Sequence, residues 1–391
     1  MDSISSMGYE ECTPIQEQSI PAIMDGRDLI ASAQTGTGKT AAFLLPIIEG
    51  ITRNSSKEGI KALVIVPTRE LAVQIQQNME GMSYFTSVAS VAIYGGGDGN
   101  SYTSEKMALQ AGVDVVIGTP GRIISHSNMP YVNWSGLKYL VLDEADRMLD
   151  MGFHDDIMRI ISNLPKKRQN LLFSATMPPK MRDLARKLTA NPFEISLAVS
   201  KPAEKIVQKA FVIYETQKIP LVVHLLKDVN FRSVIVFCST KSSVKSLARQ
   251  LAQAKLSVQE IHSDLDQTQR EKILLDFKNK TVTIIVATDI LARGIDVEDI
   301  DLVVNFDVPR DAEDYIHRIG RTARAEADGL AYTLVNELDQ SRLASIERLI
   351  ERPIEKAVVP EYLGDVPTYA PRQKNKPFKK RFSKNKPHKK A

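Results

Sequence analysis

Residues 33–40 read Ala33-Gln34-Thr35-Gly36-Thr37-Gly38-Lys39-Thr40, and Asp143-Glu144-Ala145-Asp146 follows at 143–146. The octet lies between the apolar run Asp28-Leu-Ile-Ala and the segment Ala41-Ala-Phe-Leu-Leu. That order is the strand, glycine-rich turn and helix of a phosphate cradle, because glycines let backbone N–H groups come close to phosphate oxygens. Lys39 is placed for the β- and γ-phosphates, and Thr40 to offer its hydroxyl to Mg²⁺. The acidic quartet follows Tyr139-Leu-Val-Leu, so its carboxylates leave the C-terminal end of a strand, where open α/β sheets bind ligands. Asp143 is set to hold the metal through water and Glu144 to polarise an attacking water. Ala33 stands where the generic phosphate-loop pattern begins with glycine. Taken singly, Gly-Thr-Gly is also an ordinary turn, and an acidic quartet is also a solvated helix start. On two strand ends in this order they make the halves of one nucleoside-triphosphatase site, with ATP and Mg²⁺ as the expected ligands.

The 391 residues are enough for two domains, and 43% apolar with 25% charged residues is the balance of a soluble globular protein. No stretch approaches the roughly 20 apolar residues of a membrane span, and no basic-then-apolar signal peptide opens the chain. Two cysteines, Cys12 and Cys238, make no disulfide framework, and the six histidines show no metal-ligand spacing. A reducing cytoplasm fits. The net charge of +4 is unevenly spread: Pro367 to Ala391 holds ten Lys/Arg and no acid, which leaves 41 basic against 47 acidic residues elsewhere.

Short β-rich apolar runs alternate with helical patterns, the mark of a parallel α/β architecture. The runs are Leu29–Ala33, Ala62–Val66, Val113–Gly118, Tyr139–Asp143 and Leu171–Ser174, then Ser233–Cys238, Val258–His262, Thr283–Asp289, Leu302–Phe306 and Leu330–Val335. Residues 196–206 form a polar, proline-containing linker between domains expected at 1–195 and 207–360. Leu343, Ile346, Leu349 and Ile350 predict a closing amphipathic helix. From 361 to 391 the pattern dissolves into Pro, Lys, Asn and isolated aromatics, read as a disordered basic tail.

At this point the chain resembles the DEAD-box ATP-dependent RNA helicases of helicase superfamily two, from residue 8 to about 355, most closely the compact bacterial type with a short basic tail. The resemblance implies two tandem RecA-like domains, each a mostly parallel sheet flanked by helices. Gly8-Tyr-Glu-Glu-Cys-Thr-Pro-Ile-Gln16 is similar to the family's adenine-recognition motif, with Gln16 reading the base and Thr13 supporting it. An amide suits that task because it both donates and accepts. Thr13 with Gln16 three residues on is also a capping box, and both roles are compatible. Pro67-Thr68-Arg69, Gly95-Gly96 and Thr119-Pro120-Gly121-Arg122 match first-domain RNA-contacting segments, where Arg69 and Arg122 would offer charge to phosphates. Ser174-Ala175-Thr176 matches the segment that couples hydrolysis to strand separation.

In the second domain, Gln267 and Arg270 of Gln-Thr-Gln-Arg and Thr288 of Ala-Thr-Asp are implied RNA contacts, and Asp296 of Ala292-Arg-Gly-Ile-Asp296 an implied nucleotide contact. His317-Arg-Ile-Gly-Arg-Thr-Ala-Arg324 resembles the arginine-finger segment. The resemblance implies that Arg321 and Arg324, three apart and able to share a face on a helical turn, would stabilise charge on the γ-phosphoryl group, and that His317 would take part in coupling. The chain departs from the family pattern at Thr322-Ala323-Arg324, where glycine is usual in the middle, and at His262-Ser263-Asp264, likewise. The family's adenine-stacking aromatic lies about seventeen positions before the motif glutamine and would precede Met1, so an upstream segment is expected, and without its stacking of about 0.5–1.5 kcal/mol ATP should bind several-fold more weakly.

Expected partners are single-stranded and short duplex RNA, with ribonucleoprotein or RNA-decay complexes as candidates and no membrane. The tail, with Phe378 and Phe382 among its lysines, combines counterion release with stacking surfaces for RNA. Two other activities keep every motif: an ATP-gated RNA clamp or annealer, and a DNA-directed motor.

Overall fold

The structure is a computed structural model that describes residues 7–33, 36–53, 59–95, 99–197, 206–227, 231–288, 300–322 and 329–371. Gln34, Thr35, Gly96, Asp296, Arg324 and the tail from Arg372 lie outside the described residues, as does the side chain of Gln267.

The first sheet contains β1 (Leu29–Ser32), β2 (Ala62–Ile65), β3 (Ser90–Ile93), β4 (Val115–Gly118), β5 (Tyr139–Leu142), β6 (Gln169–Ser174) and β7 (Phe193–Ser196). The second contains β8 (Ile206–Val212), β9 (Val234–Cys238), β10 (Val258–Ile261), β11 (Ile284–Thr288), β12 (Leu302–Asn305), β13 (Gly329–Val335) and β14 (Glu355–Lys356). Their orders are β3-β4-β2-β5-β6-β1-β7 and β10-β11-β9-β12-β13-β8-β14. Counted within each half, both orders are 3-4-2-5-6-1-7, so one topology is used twice.

Every pairing is parallel, and both faces of each sheet are covered. That is why the strands read as continuous apolar runs and not as alternations. In β2, Ala62 and Val64 enter one core cluster while Leu63 and Ile65 enter the cluster on the opposite face. In β9, Ile235 and Phe237 face one way and Val234, Val236 and Cys238 the other. Each such fully buried Leu, Ile or Val is worth about 1.5–3 kcal/mol. A one-residue slip would move a strand's side chains to the other face, so the register is well determined.

Four strands were not anticipated: β3, β7, β8 and β14. Residues 361–371, expected within the tail, are instead held by side-chain contacts. Tyr369 packs on the second core and donates its hydroxyl to Glu347 Oε2 at 2.7 Å. Gln340 donates to the Thr368 carbonyl and accepts from the Ala370 N–H, and Gln217 donates to the carbonyls of Leu363 and Asp365. These bonds bind 361–371 to the second half of the fold. No helix among the described residues is long and apolar enough to cross a membrane.

Candidate active site

The strand order builds the site. β5, β6 and β1 are adjacent, so the segments leaving their C-terminal ends meet: Asp143–Asp146, Ser174–Thr176 and the phosphate loop. β4 and β2 occupy the neighbouring stretch of the same edge and deliver Thr119–Arg122 and Pro67–Arg69.

In the loop, Gly36 and Gly38 adopt φ of +80° and +88°, the left-handed region that suits glycine. A Cβ on Gly38 would come within 2.5 Å of Gln16 Nε2 and 3.0 Å of Thr13 Oγ1. Gln16 is buried and uses both ends of its amide: Nε2 donates to the Gly38 carbonyl (3.2 Å), and Oε1 accepts from the Thr13 N–H (3.0 Å). The capping bond foreseen from spacing is thus present, and the same side chain braces the phosphate loop. Lys39 and Thr40 open the helix Lys39–Arg53, and Lys39 Nζ donates to the Ala33 carbonyl at 2.7 Å.

Asp143 is buried, with Oδ1 accepting from the Glu144 N–H at 2.9 Å. Burial pushes its carboxyl up to about 6 against the pull of Lys39. Glu144 sits at φ 48°, ψ 47°, one of few non-glycine residues in the left-handed region, and begins the helix Ala145–Asp150. Its Oε2 accepts from Arg147 Nη1 at 2.9 Å. Asp146 Oδ2 accepts from both the N–H and the hydroxyl of Thr176, each at 2.9 Å, and Ser174 donates to the Thr176 carbonyl at 2.7 Å. Ser174–Thr176 is therefore latched to the acidic quartet itself. Neither Asp146 nor Arg147 was assigned a role from sequence, although Arg147 three residues after Glu144 is the spacing of a helical ion pair.

The second domain closes over this edge. Lys39, Glu144, Asp146, Arg147, Ala175, His317 and Arg321 line one cleft. Glu313 has its carboxyl pushed up by burial and then by the Asp146 charge opposite. The helix Ala312–Ile319 ends before Arg321, which lies in the turn that follows, its N–H donating to the Arg318 carbonyl, while Arg324 lies outside the described residues. Arg318 of the same motif is structural: it is buried, donates to Asn305 Oδ1 (2.9 Å) and the Asp307 carbonyl (2.8 Å), and lies over the Phe237 ring.

These residues fit a nucleoside triphosphate with a divalent cation. A buried carboxylate sits beside a buried lysine, the glycine turn would be filled by any Cβ, and Thr13 Oγ1 is a buried oxygen without a hydrogen-bond partner among the described residues.

Along the other stretch, burial and then Arg270 lower the pKa of Arg69, with Arg122 adding to the effect, so guanidinium groups from both domains converge. Arg270 Nη1 stands 3.9 Å from Glu70 Oε1 across the domains and Nη2 donates to the Ser263 carbonyl (3.4 Å). Thr68 caps the helix Arg69–Ser83 by accepting from the Leu71 N–H (3.4 Å), and Pro67 is buried behind it. Gly95 and Gly121 have open space where a Cβ would stand. Thr288 ends β11 at the matching edge of the second sheet. Arg122 departs from expectation: its guanidinium is turned inward, donating from Nε to Glu105 at 2.6 Å over the Tyr102 ring, with only 14% of the side chain exposed. Ser263 is not among the residues with positive φ, so serine costs nothing at that departure from the family.

Comparison with known proteins agrees with this geometry. Residues 13–184 match the DEAD/DEAH box helicase family and 217–326 the helicase conserved C-terminal domain. The chain is 40% identical over 361 residues to the ATP-dependent RNA helicase CshA of Listeria monocytogenes, covering 92% of this chain and 68% of that one. It is likewise 40% identical to the DEAD-box ATP-dependent RNA helicase CshA of Geobacillus kaustophilus, covering 92% and 76%. The fold superposes on S. cerevisiae Dbp5 bound to RNA and ADP BeF3 with a TM-score of 0.80 at 30% identity, over 91% of this chain and 92% of that one. The chain belongs to the DEAD-box family of ATP-dependent RNA helicases, enzymes that hydrolyse ATP.

Proposed function

We propose that this chain hydrolyses ATP in an RNA-stimulated manner and uses the cycle for local, non-processive separation of RNA strands or remodelling of ribonucleoproteins. The observation that carries this is the two-domain edge, on which the nucleotide cleft and the Arg69–Arg122–Arg270 cluster adjoin. Guanidinium groups gathered from both domains, with Arg270 and Arg122 lowering the pKa of Arg69, favour a polyanion.

In this proposal Gln16 and Thr13 take the base, the 33–40 loop with Lys39 the phosphates, and Thr40 and Asp143 hold Mg²⁺. When bound there, the metal would supply charge neutralisation on the phosphates. Glu144, oriented by Arg147, draws a proton from the attacking water. Arg321, with Arg324 and Asp296 from segments outside the described residues, completes the cleft from the second domain. Pro67–Arg69, Gly95–Gly96, Thr119–Gly121, Gln267, Arg270 and Thr288 face RNA, with the inward-turned Arg122 supporting the Thr119–Gly121 turn from behind. Because both domains contribute, closure and hydrolysis depend on one another, and Ser174–Thr176, latched to Asp146, relays between them with His317. We assign the halves to 1–195 and 207–360, the second extended by the packed segment 361–371, with the linker at 196–206, the basic tail to RNA tethering, and the cytoplasm as the site of action.

The test is steady-state ATP hydrolysis at saturating ATP with and without single-stranded RNA, with DNA of the same sequence as competitor. Strong stimulation by RNA that DNA does not displace is expected, because only RNA presents the 2′-hydroxyl. Equal stimulation by DNA, or none by either, would remove the RNA assignment.

A further inference from the structure

Glu105 has no assigned role in the site as described so far, yet its side chain is only 6% exposed and its one carboxylate meets three partners on two other segments. It lies on the helix Gly99–Ala111, between β3 and β4. Oε1 accepts from the Tyr94 N–H at 3.2 Å, where the chain leaves β3. Oε2 accepts from Arg122 Nε at 2.6 Å and faces His126 Nε2 at 2.9 Å, both on the helix Pro120–Ser127 that follows β4. Behind them the Tyr102 ring stacks on His126, with centroids 4.4 Å apart and planes at 12°, and lies 4.8 Å beneath the Arg122 guanidinium. Tyr131 closes the group, with its hydroxyl 2.9 Å from His126 Nδ1.

We infer that Glu105 is a positioning residue for RNA: its single carboxylate sets the spacing between the backbone at Tyr94–Gly95 and that at Thr119–Arg122. The inference rests on the RNA reading of those two segments. Arg122 then serves chiefly as the strut that carries Glu105's hold to the first turn of its helix. The phosphate-facing work falls to Thr119, which opens that helix, and to the backbone around Gly121 and Gly95, where space is open. A buried carboxylate is a poor way to gain stability alone, since an apolar side chain of similar volume usually does as well. Charge-assisted bonds to three fixed donors do give geometric definition, which a phosphate-spaced surface needs.

The experiment is RNA-stimulated ATP hydrolysis by the full chain across an RNA titration, for wild type, Glu105→Gln and Glu105→Ala, with thermal midpoints alongside. Glu105→Ala should raise the half-saturating RNA concentration about tenfold while turnover at saturating RNA stays within about twofold, the pattern of lost binding rather than lost chemistry. Glu105→Gln, which keeps the volume and one acceptor, should shift it by a smaller factor, and it carries the test if the alanine variant does not fold. Unmoved half-saturation in Glu105→Gln, or a loss of turnover that tracks the melting temperature, would make Glu105 merely structural and overturn the inference. Absence of RNA stimulation in the wild type would instead overturn the RNA reading itself, an outcome distinct from a shift confined to the Glu105 variants.

Discussion

Arg147 Nη1 meets Glu144 Oε2 at 2.9 Å from three residues along the chain, and the two side chains are only 5% and 13% exposed. Glu144 is already committed to a left-handed backbone, so this pair determines where its carboxylate can point. A water-polarising group needs such restraint, because a small misplacement of a reacting group costs large factors in rate.

Removing either member should therefore affect chemistry more than binding. Glu144→Gln is expected to lower ATP turnover at least 100-fold with nucleotide affinity retained. Arg147→Ala should lower turnover about tenfold and cost about 1–3 kcal/mol of stability through the buried charge left behind. Turnover and fluorescent-nucleotide binding measured on the same preparations decide it. Intact hydrolysis in Glu144→Gln would remove Glu144 from its role.

Gly38→Ala imposes both an unfavourable φ, at about 1–2 kcal/mol, and a Cβ 2.5 Å from Gln16 Nε2. Nucleotide affinity should fall tenfold or more and the thermal midpoint by several degrees. An alanine variant with native affinity would show that the Gln16 brace does not matter for the loop.

Arg321 lies in the cleft, on the second-domain side. Arg321→Ala should reduce RNA-stimulated turnover on the order of 10³-fold, the scale of an arginine that stabilises transferring phosphoryl charge. Single-turnover measurements at saturating nucleotide would separate this from a binding defect, which would instead appear as a raised KM.

Burial raises the Glu105 carboxyl, but hydrogen bonds from His126, Arg122 and Tyr94 outweigh it and hold the pKa below its usual 4.5. A depressed folded value means that the stabilisation is present above the unfolded value and is lost as pH falls through the folded one. Denaturant unfolding should accordingly show wild type and Glu105→Gln separated near neutrality and converging as pH falls below the ordinary carboxyl value of 4.5 and through the depressed folded one. Parallel curves across that window would contradict the assignment.

The bonds made by Tyr369, Gln340 and Gln217 separate two truncations that look alike in sequence. Ending the chain at Pro371 should leave the thermal midpoint unchanged while flattening the salt dependence of RNA binding. Ending it at Leu363 removes the Tyr369–Glu347 and Gln340 contacts and should lower the midpoint by several degrees. An unaltered salt slope in the first truncation would reject tethering by the tail.

Most of the fold was legible because parallel strands buried on both faces leave unbroken apolar runs, as at Ala62–Ile65 and Val234–Cys238. The strands that escaped lack that mark. β7 alternates with exposed Glu194 and Ser196 at a sheet edge, and β14 is two residues long. β8 carries Gln208 and Lys209, and Gln208 is tolerated inside because Tyr315 donates to its Oε1 at 3.0 Å, a partner 107 residues away. The site follows the same division. Motif residues leave consecutive strand ends and announce themselves locally. The inward turn of Arg122 depends on Glu105, an ordinary-looking residue in an ordinary helix, and no local pattern reports it.

One consequence concerns how such an enzyme tells adenine from other bases. If Gln16 reads the base as proposed, it joins base and loop, because the same amide already holds the Gly38 carbonyl. A wrong base must then be felt as a loosened floor under the phosphates. Discrimination would be expressed in catalytic commitment as well as in occupancy, so a poorly matched nucleotide could fill the cleft and still be spent slowly.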